Sequence, residues 1–267
     1  MVADNYIDIN QKLWDQKTAI HFDSEFYDVK GFLAGKDSLN PIDLELLGDL
    51  KGKKVLHLQC HFGQDTISLA RHGAQATGVD FSAKALEKAD ELNQKIGTNA
   101  QFIQSDIYEL PNVLDEKFDI VFTSYGTIGW LPDMQKWAEV VHHFLKPGGK
   151  FVMIEFHPVV WMMSDDFQKI EYSYLNKGEI IEETEGTYTD RNADIKEQSI
   201  SWNHGLSEVI NALIKSGLTL KDFQEYDYSP YNCFRNTVKI EEGKFQIEGL
   251  EGKLPMMYSL VLKKIEC

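Results

Sequence analysis

Short apolar runs alternate with helical periods along the middle of the chain. Residues 54–58 are typical of a strand, and the helical period that begins at about Asp65 ends where Gly73 favours a C-cap. Ser82 is placed to cap a second helix, whose apolar positions recur every 3.6 residues. A third helix opens at Pro132-Asp133 and a fourth ends at Gly217. Further strands are predicted over 75–79, 100–103, 118–122 and 150–156, and near 219–226 and 257–262.

This alternation of strands and helices predicts parallel strands joined by right-handed crossovers. We therefore expect an α/β fold, a Rossmann-like doubly wound sheet of seven mostly parallel strands with helices on both faces. In such a sheet the ligand site lies at the carboxyl ends of the strands.

Two regions lie outside this predicted core. Residues 1–50 hold an amphipathic segment and then a helix with Asn40 as its N-cap and Pro41 in its first turn. Residues 157–203 form an insertion of a length typical of a lid or a substrate-binding addition. Within it, 169–175 and 179–183 are predicted to pair as a β-hairpin around Asn176-Lys177-Gly178. We expect a single domain over 1–267, with 1–50, 51–156, 157–203 and 204–267 as its parts.

The charge balance narrows the classes of partner. The 267 residues include 27 Lys and Arg against 42 Asp and Glu, a formal net charge of −15. Nucleic-acid backbones and anionic membrane surfaces both attract clustered basic side chains, so we expect neither as a partner. No apolar run approaches the roughly 18 residues of a membrane-spanning helix. A small molecule is the expected substrate.

The ends and the cysteines indicate a cytoplasmic protein. The first residues, Met1 to Asn5, lack the basic and then apolar pattern of a signal peptide. Cys60, Cys233 and Cys267 form neither a CxxC pair nor a disulfide framework. Both observations favour a reduced compartment.

Polar residues that suit a nucleoside follow three neighbouring strands. The first strand runs into the turn Gln59 to Gln64, where the backbone can approach a ligand beside a helix N-terminus. Asp80 ends the second strand, where a carboxylate can accept hydrogen bonds from both ribose hydroxyls. Asp106 follows the third strand, where it can accept from the amino group of an adenine ring.

Taken together, these residues resemble the class I S-adenosylmethionine-dependent methyltransferases. The resemblance covers 53–156 and, more loosely, the C-terminal third. In that family the first strand ends in an acidic residue followed by a loop with three glycines; here His57 stands at the acidic position, and of Gln59, His61 and Gly63 at the glycine positions only Gly63 matches. The later motifs fit in order: Gly78-Val79-Asp80-Phe81-Ser82, Ser105-Asp106-Ile107, Phe118-Asp119-Ile120-Val121 and Lys146-Pro147-Gly148-Gly149.

The resemblance implies S-adenosylmethionine as the cofactor, S-adenosylhomocysteine as its product and 51–156 as the cofactor-binding core. It implies that Asp80 binds the ribose, that Phe81 lies against adenine, and that Asp106 contacts the adenine amino group beside the Ile107 backbone. It also implies that the methionine portion lies along Gly63 and the backbone of Gln59 and His61, and that Thr123 and Ser124 lie near the sulfonium.

The segment before the core, Trp14 to His21, is similar to the segment that covers the cofactor in thiopurine-type thiol methyltransferases. This resemblance implies an N-terminal helical lid over 1–50. It places Trp14 against the cofactor and His21 and Tyr27 in the lid, with Tyr27 facing the substrate. The alternative is that Trp14 only packs the helix onto the sheet.

Residues after the fourth and fifth strands are candidates for contact with the methyl acceptor. Tyr125 and Trp130 flank a glycine-containing loop that can approach a ligand closely, and their rings can attract a sulfonium by cation–π contact. His157 follows the fifth strand; it either contacts the substrate, as a base where the acceptor must lose a proton, or positions the insertion. We expect catalytic roles for Tyr125 and His157 and a substrate contact for Trp130.

Three more residues are candidate substrate contacts. His204 begins the helix after the insertion, and its alternative is a surface histidine beside a cap. Tyr228 and Tyr231 lie in an aromatic stretch before the last strand, where packing is the alternative. These three residues complete the predicted substrate side.

Methyl transfer to an oxygen, nitrogen or sulfur of a small molecule is the expected function, by in-line displacement. A binding module that holds the cofactor without catalysis is one alternative, because the glycine loop is degenerate. An NAD-dependent oxidoreductase is the other, although G-x-G-x-x-G is absent. A metal site at His57, Cys60 and His61 is not expected, since His57 lies within a strand and a fourth ligand is not evident. The sequence does not indicate the oligomeric state.

Overall fold

A computed structural model of the chain describes residues 5–265. The predictions made for residues 1–4, at the N-terminus, and for Cys267 lie outside the described residues. The described helices are α1 (Tyr6–Phe22), α2 (Val29–Leu33), α3 (Pro41–Leu47), α4 (Gln64–Arg71), α5 (Ala83–Ile96), α6 (Leu110–Val113), α7 (Met134–Phe144) and α8 (Leu206–Lys215). The described strands are β1 (Lys54–Leu58), β2 (Gln75–Asp80), β3 (Gln101–Gln104), β4 (Phe118–Ser124), β5 (Leu145–Phe156), β6 (Ile180–Glu185), β7 (Lys196–Ser201), β8 (Leu218–Tyr226), β9 (Thr237–Glu241), β10 (Lys244–Ile247) and β11 (Met257–Lys264).

Seven strands form the central sheet in the order β3-β2-β1-β4-β5-β11-β8. The first five run parallel, while β11 lies antiparallel between β5 and β8. This confirms the predicted mostly parallel, doubly wound sheet. The carboxyl ends of β1 and β4 meet at the point where the strand order reverses, which is where open α/β sheets bind ligands.

Helices cover both faces of the sheet. Side chains along each strand alternate between the two faces, so each face presents apolar side chains that a helix must bury. On one face Leu56 packs in a core that includes Trp137 of α7 and Leu213 of α8. On the other, Val55 packs in a core with Leu47 of α3 and Leu69 of α4. All six side chains are at most 1% exposed, so the sheet is buried on both faces.

Helix α1 crosses the site end of the sheet and is tied down at two points. The Asn10 side chain pairs with the backbone of Ile200 in β7, donating to its carbonyl at 2.8 Å and accepting from its N–H at 3.0 Å. The Ser82 hydroxyl, at the start of α5, donates to Asp15 at 2.5 Å. The N-terminal helix is thus held between the insertion and the core.

The insertion contains a hairpin, but the predicted strand pairing is wrong. Strand β6 pairs antiparallel with β7, on its C-terminal side, and not with 169–175. The backbone N–H groups of Glu171 and Tyr172 instead donate to the carbonyl of Met162. The turn prediction rested only on the local sequence Asn176–Gly178, whereas β7 pairs with β6 in a continuous antiparallel register from Ile180 opposite Ser201 to Glu185 opposite Lys196.

Candidate functional site

A cavity of about 740 Å³ lies at the carboxyl ends of the parallel strands, beneath α1. It extends from the nucleoside-type residues at the ends of β2 and β3 to an aromatic wall built by α2, the insertion and the segment before β9. Most of the residues predicted from the sequence line it. They are Trp14, Tyr27, Gln59, His61, Gly63, Asp80, Phe81, Asp106, Ile107, Ser124, Tyr125, Trp130 and Tyr231.

Two predicted histidines lie outside the cavity lining, and their assignments are corrected. His157 is 3% exposed; its Nε2 lies 3.0 Å from Glu225, and its Nδ1 accepts from the N–H of Val159 at 3.2 Å. Side chains alternate at the end of β5, so the preceding Phe156 lines the cavity and His157 faces away. His204 Nε2 donates to the carbonyl of Leu131 at 2.8 Å, which fixes this buried ring within the core.

Thr123 and Tyr228 also lie outside the lining. Thr123 is fully buried, and its hydroxyl contacts that of Thr127 at 3.1 Å. Tyr228 packs edge-on against Tyr226, and the ammonium of Lys244 lies 5.1 Å from its ring centroid. Neither residue is among those that line the cavity.

The loop after β1 has the backbone conformation that glycine favours, although two of its three key positions are not glycine. Gln59, His61 and Gly63 have φ values of 55°, 51° and 76°, all in the left-handed region. For side chains larger than glycine this conformation costs on the order of 1 kcal/mol per residue. Tertiary contacts hold it: the Gln59 amide donates to the carbonyl of Thr127 at 2.9 Å, and the His61 N–H donates to Asp80 at 2.8 Å.

Asp80 lines the cavity at the end of β2. One carboxylate oxygen accepts from the His61 N–H and the other from the Ser82 N–H at 2.9 Å. Burial raises the pKa of Asp80 to about 6, against the lowering effect of these backbone donors. Asp106, at the neighbouring strand end, accepts from the N–H of Tyr108 at 2.8 Å, and burial also raises its pKa. Both carboxylates are fixed in place at the cavity wall.

His57 occupies the acidic position of the family motif as a neutral group. Its ring stacks on Phe122, with centroids 5.0 Å apart, and its nitrogens contact the hydroxyls of Thr66 at 2.9 Å and Ser124 at 3.4 Å. Burial lowers the pKa of His57 to about 3. A carboxylate lies nearby: Asp65 of α4 lines the cavity, and burial raises its pKa to about 6.

A second polar cluster joins α3 to the loop after β4. The hydroxyl of Tyr125 donates to Asp43 at 2.7 Å, and the Asn40 side chain donates to the hydroxyl of Tyr231 at 2.8 Å. Burial, and then the charge of Asp65, raise the pKa of Asp43 to about 7. This cluster places a titratable carboxyl directly behind a cavity hydroxyl.

A neutral histidine pair joins α1 to the loop after β1. His21 Nδ1 and His61 Nε2 are 3.1 Å apart, and the Trp14 ring lies edge-on to His61 at 5.4 Å. Burial lowers the pKa of these histidines to about 2 and about 3, respectively. Tyr27, between α1 and α2, contacts the hydroxyl of Tyr188 from the insertion, so the N-terminal region and the insertion meet at the cavity.

Glu155 holds the loop that frames the cavity after β4. It is 1% exposed and accepts from the backbone N–H groups of Gly126, Thr127, Ile128 and Phe156, with distances of 2.7 Å to Thr127 and 2.6 Å to Phe156. Burial raises its pKa. This carboxylate positions a wall of the site without lining it.

Sequence reasoning missed several residues of the site. The sequence did contain a signal for the position of Asp43, because this residue completes a capping box with the N-cap residue Asn40. Lys17 follows Trp14 by three residues, which places both on one face of α1. No sequence motif around the aromatic residues of the insertion predicted that they would line the site. The missed residues are Lys17, Asn40, Asp43, Asp65, Glu155 and Tyr188.

Within residues 5–265, no group of three or more His, Cys, Asp or Glu side chains is arranged to hold a metal ion. Among the helices of that same range, none is both long and apolar enough to cross a bilayer.

Residues 49–213 match the protein family described as methyltransferase domain. An uncharacterized methyltransferase of Synechocystis sp. is 36% identical over 132 residues, 49% of this chain and 60% of the relative. The ubiquinone biosynthesis O-methyltransferase of Klebsiella pneumoniae is 30% identical over 147 residues, 53% of this chain and 60% of the relative. The chain thus spans about three fifths of these relatives. A crystal structure of an S-adenosylmethionine-dependent methyltransferase from Mesorhizobium loti covers 87% of this chain and 100% of its own at 21% identity, with a TM-score of 0.59, and so shares the fold.

Proposed function

Because this chain belongs to the class I S-adenosylmethionine-dependent methyltransferases, we propose that it transfers a methyl group from S-adenosylmethionine to a small-molecule acceptor. The observation that carries the proposal is the continuity of one cavity from Asp80, at the end of β2, to Tyr125, after β4. One end suits a nucleoside and the other an apolar molecule, so cofactor and acceptor can meet within a single enclosure.

The residues of the nucleoside end fit the cofactor. Asp80 offers a carboxylate beside the loop backbone, and Asp106 offers a second one at the next strand end. We assign ribose binding to Asp80 and adenine binding to Asp106 and Phe81. The cofactor supplies an electrophilic methyl on a sulfonium. The protein's task is to align the acceptor with that methyl and to exclude water.

The acceptor end is aromatic. Its wall includes Phe26, Tyr27, Tyr188, Tyr231 and Phe234, so a flat apolar ring is the acceptor that this surface suits. One matched relative is named for O-methyl transfer, which favours a hydroxyl as the accepting group.

A hydroxyl acceptor loses a proton as its oxygen gains the methyl group. Tyr125 lines the cavity and already donates to Asp43. In our proposal the Tyr125 oxygen takes the acceptor's proton while its own proton passes to Asp43. The cofactor leaves as the neutral thioether S-adenosylhomocysteine, so the charge balances. With His157 turned away from the cavity, this pair takes over the role of base.

Calorimetric titration with S-adenosylmethionine and S-adenosylhomocysteine, with NAD as the control, tests the cofactor. Binding of both sulfur nucleosides and not of NAD is expected, and Asp80→Ala should abolish it at micromolar concentrations. Failure of the wild-type protein to bind either nucleoside would overturn the proposal.

Transfer of a labelled methyl group to matched phenol, aniline and thiophenol derivatives of one ring scaffold then tests the acceptor. Transfer to the phenol alone is expected. Gln59 and His61, with side chains at two glycine positions, favour a second candidate, a module that binds the cofactor without turnover. Tight nucleoside binding with no transfer to any of the three acceptor classes would favour that module.

A further inference from the structure

Asp65 is a carboxylate of the cavity that has no cation beside it. Six aspartates are among the described residues that line the cavity, namely Asp28, Asp37, Asp65, Asp80, Asp106 and Asp165. Three of them have a basic partner: Asp28 has Lys36, Asp37 has His72, and Asp165 has Arg191 and Arg235. Two more, Asp80 and Asp106, are assigned to the nucleoside. Within residues 5–265 no basic side chain forms an ion pair with Asp65, so its charge is left for a ligand.

Asp65 lies on the acceptor side of the cavity, in the first turn of α4. Burial raises its pKa to about 6, against the lowering effect of two serine hydroxyls, so the carboxylate is mostly ionised at pH 7. After burial, its charge is one of the causes that raise the pKa of Tyr27, Tyr125 and Tyr231. Because such coupling weakens with distance, Asp65 lies close to all three tyrosines.

The tyrosines near Asp65 belong to a continuous aromatic wall. The ring centroids of Tyr27 and Phe26 are 5.1 Å apart. Phe26 lies 5.6 Å from Tyr231, whose ring lies 5.0 Å from that of Tyr125. All four rings line the cavity. Aromatic faces attract cations, and more strongly where water is excluded, so this wall and the carboxylate favour the same kind of ligand.

The cations that line the cavity are engaged elsewhere. Lys36 and Arg191 have the carboxylate partners named above. The ammonium of Lys17 lies 5.1 Å from the ring centroid of Trp14 and 5.8 Å from that of Trp130. Behind the aromatic wall, the buried carboxyl of Asp43 adds a second acidic group beside Asp65. This end of the cavity therefore suits an organic cation better than a neutral or an anionic group.

We propose that the methyl acceptor carries an ammonium group in addition to its hydroxyl, and that Asp65 binds this ammonium group against the aromatic wall. The acceptor class is a phenol with an aliphatic amine side chain. Such an amine has a pKa near that of lysine, about 10, so at pH 7 its nitrogen is protonated and has no lone pair to attack the methyl group. The methyl group therefore goes to the oxygen beside Tyr125. The inference rests on the function proposed above and specifies the charge of its acceptor.

Calorimetry on the wild-type protein saturated with S-adenosylhomocysteine tests the inference without any mutation. Three phenols serve as probes, with a 2-aminoethyl, a propyl or a 2-carboxyethyl group opposite the hydroxyl. The cationic aminoethyl phenol should bind about 10-fold or more tightly than the neutral propyl phenol, as expected for a buried charge-assisted hydrogen bond. The anionic carboxyethyl phenol should bind most weakly. Equal affinities, or a preference for the anion, would overturn the inference.

A variant then assigns the preference to its residue. Asp65→Asn keeps the shape of the side chain and removes the charge, so the affinities for the aminoethyl and propyl phenols should come within about 2-fold of each other. The ratio of the two affinities stays informative even if the variant is less stable, because both are measured on the same folded protein. Asp37→Asn is the matched control, since Asp37 lines the same cavity but is paired with His72, and it should keep the wild-type ratio. A wild-type ratio in Asp65→Asn would overturn the assignment of Asp65.

The outcomes separate the two proposals. If the wild-type protein binds neither S-adenosylmethionine nor S-adenosylhomocysteine, the proposed function fails. If it binds them and methylates the propyl phenol as efficiently as the aminoethyl phenol, the function stands and the inference fails. Binding of none of the three phenols to the loaded protein would also overturn the inference. So would transfer of the methyl group to the nitrogen of the aminoethyl phenol, because Asp65 would then hold the accepting group itself.

Discussion

The hydroxyl of Tyr125 lies 2.7 Å from a carboxylate oxygen of Asp43, although the two residues are 82 positions apart in the chain. Asp43 belongs to α3, before the first strand, and Tyr125 follows β4 with a φ of 49°. The contact therefore ties a strained cavity loop to a buried carboxyl from the N-terminal region. In the proposed reaction this contact is the path by which the acceptor's proton reaches Asp43.

Replacing Tyr125 by Phe should lower kcat for methyl transfer by about 100-fold or more, because a positioned base typically contributes that much. The Kd for S-adenosylhomocysteine should stay within 2-fold. In the wild-type protein kcat should rise as the pH passes through about 7, where Asp43 loses its proton. Tyr226→Phe is the control, since that hydroxyl contacts Ser259 outside the cavity. Unchanged kcat in Tyr125→Phe would exclude the proposed relay.

Asp43→Asn should change how stability depends on pH. The pKa of Asp43 is raised from 3.8 to about 7 in the folded protein, so the folded state binds the extra proton between these values and its stability falls as pH rises. Relative to wild type, Asp43→Asn should therefore gain about 4 kcal/mol in free energy of unfolding between pH 4 and pH 8. Urea denaturation at several pH values measures this. Parallel curves for the two proteins would contradict it, and the exposed Asp49→Asn is the control.

Lys17→Met should stabilise the ligand-free protein by about 3 kcal/mol at pH 7, the cost implied by a pKa lowered from 10.5 to about 8. The unfolded state binds more protons between these pKa values. Wild-type stability should therefore rise with pH over that range, and the advantage of the variant should shrink. Denaturation at pH 7 and pH 10 checks the sign. A destabilised Lys17→Met, with Lys12→Met unchanged, would show that the ammonium has a partner in the folded protein.

Glu155→Gln should destabilise the protein by about 3 kcal/mol. In the wild-type protein the buried carboxylate accepts hydrogen bonds from several backbone N–H groups, whereas in the variant a side-chain NH₂ group would face some of these donors. The loop after β4 should loosen with it, so the cofactor affinity of the remaining folded protein should also fall. Chemical denaturation and calorimetry measure the two effects. Glu87→Gln, with a 63% exposed side chain, should change neither. A Glu155→Gln protein of wild-type stability would show that the donors find other acceptors.

Gly63→Ala and Gly97→Ala form a matched pair, because both glycines have a φ near 77° (76° and 78°). A Cβ at Gly63 would lie 2.6 Å from the Phe102 ring and 2.9 Å from the Ala89 side chain, whereas a Cβ at Gly97 meets nothing within 4 Å. Gly97→Ala should therefore cost about 1 kcal/mol, from backbone strain alone. Gly63→Ala should cost at least about 2 kcal/mol more. Equal losses in thermal unfolding would mean that the loop and α5 can move apart.

The sequence by itself determined the layers of the fold and the positions of the strand ends. Apolar runs and helical periods report local burial, and in an open parallel sheet the strand ends gather at one edge. Asp80, Asp106 and Tyr125 were therefore predicted at the cavity from chain position alone. Gln59 and His61 adopt the left-handed backbone conformation that glycine favours, so the loop has the expected shape although two glycines are missing.

Only the tertiary structure decided which side chains face the cavity and which distant groups become partners. His157 follows a predicted strand end, but alternation along β5 turns it toward Glu225. Lys17 and Asp43 come from helices outside the core, and their contacts join residues more than 80 positions apart. Such pairings depend on how α1 and α3 pack across the sheet, and the packing of separate elements leaves no periodic trace in the sequence.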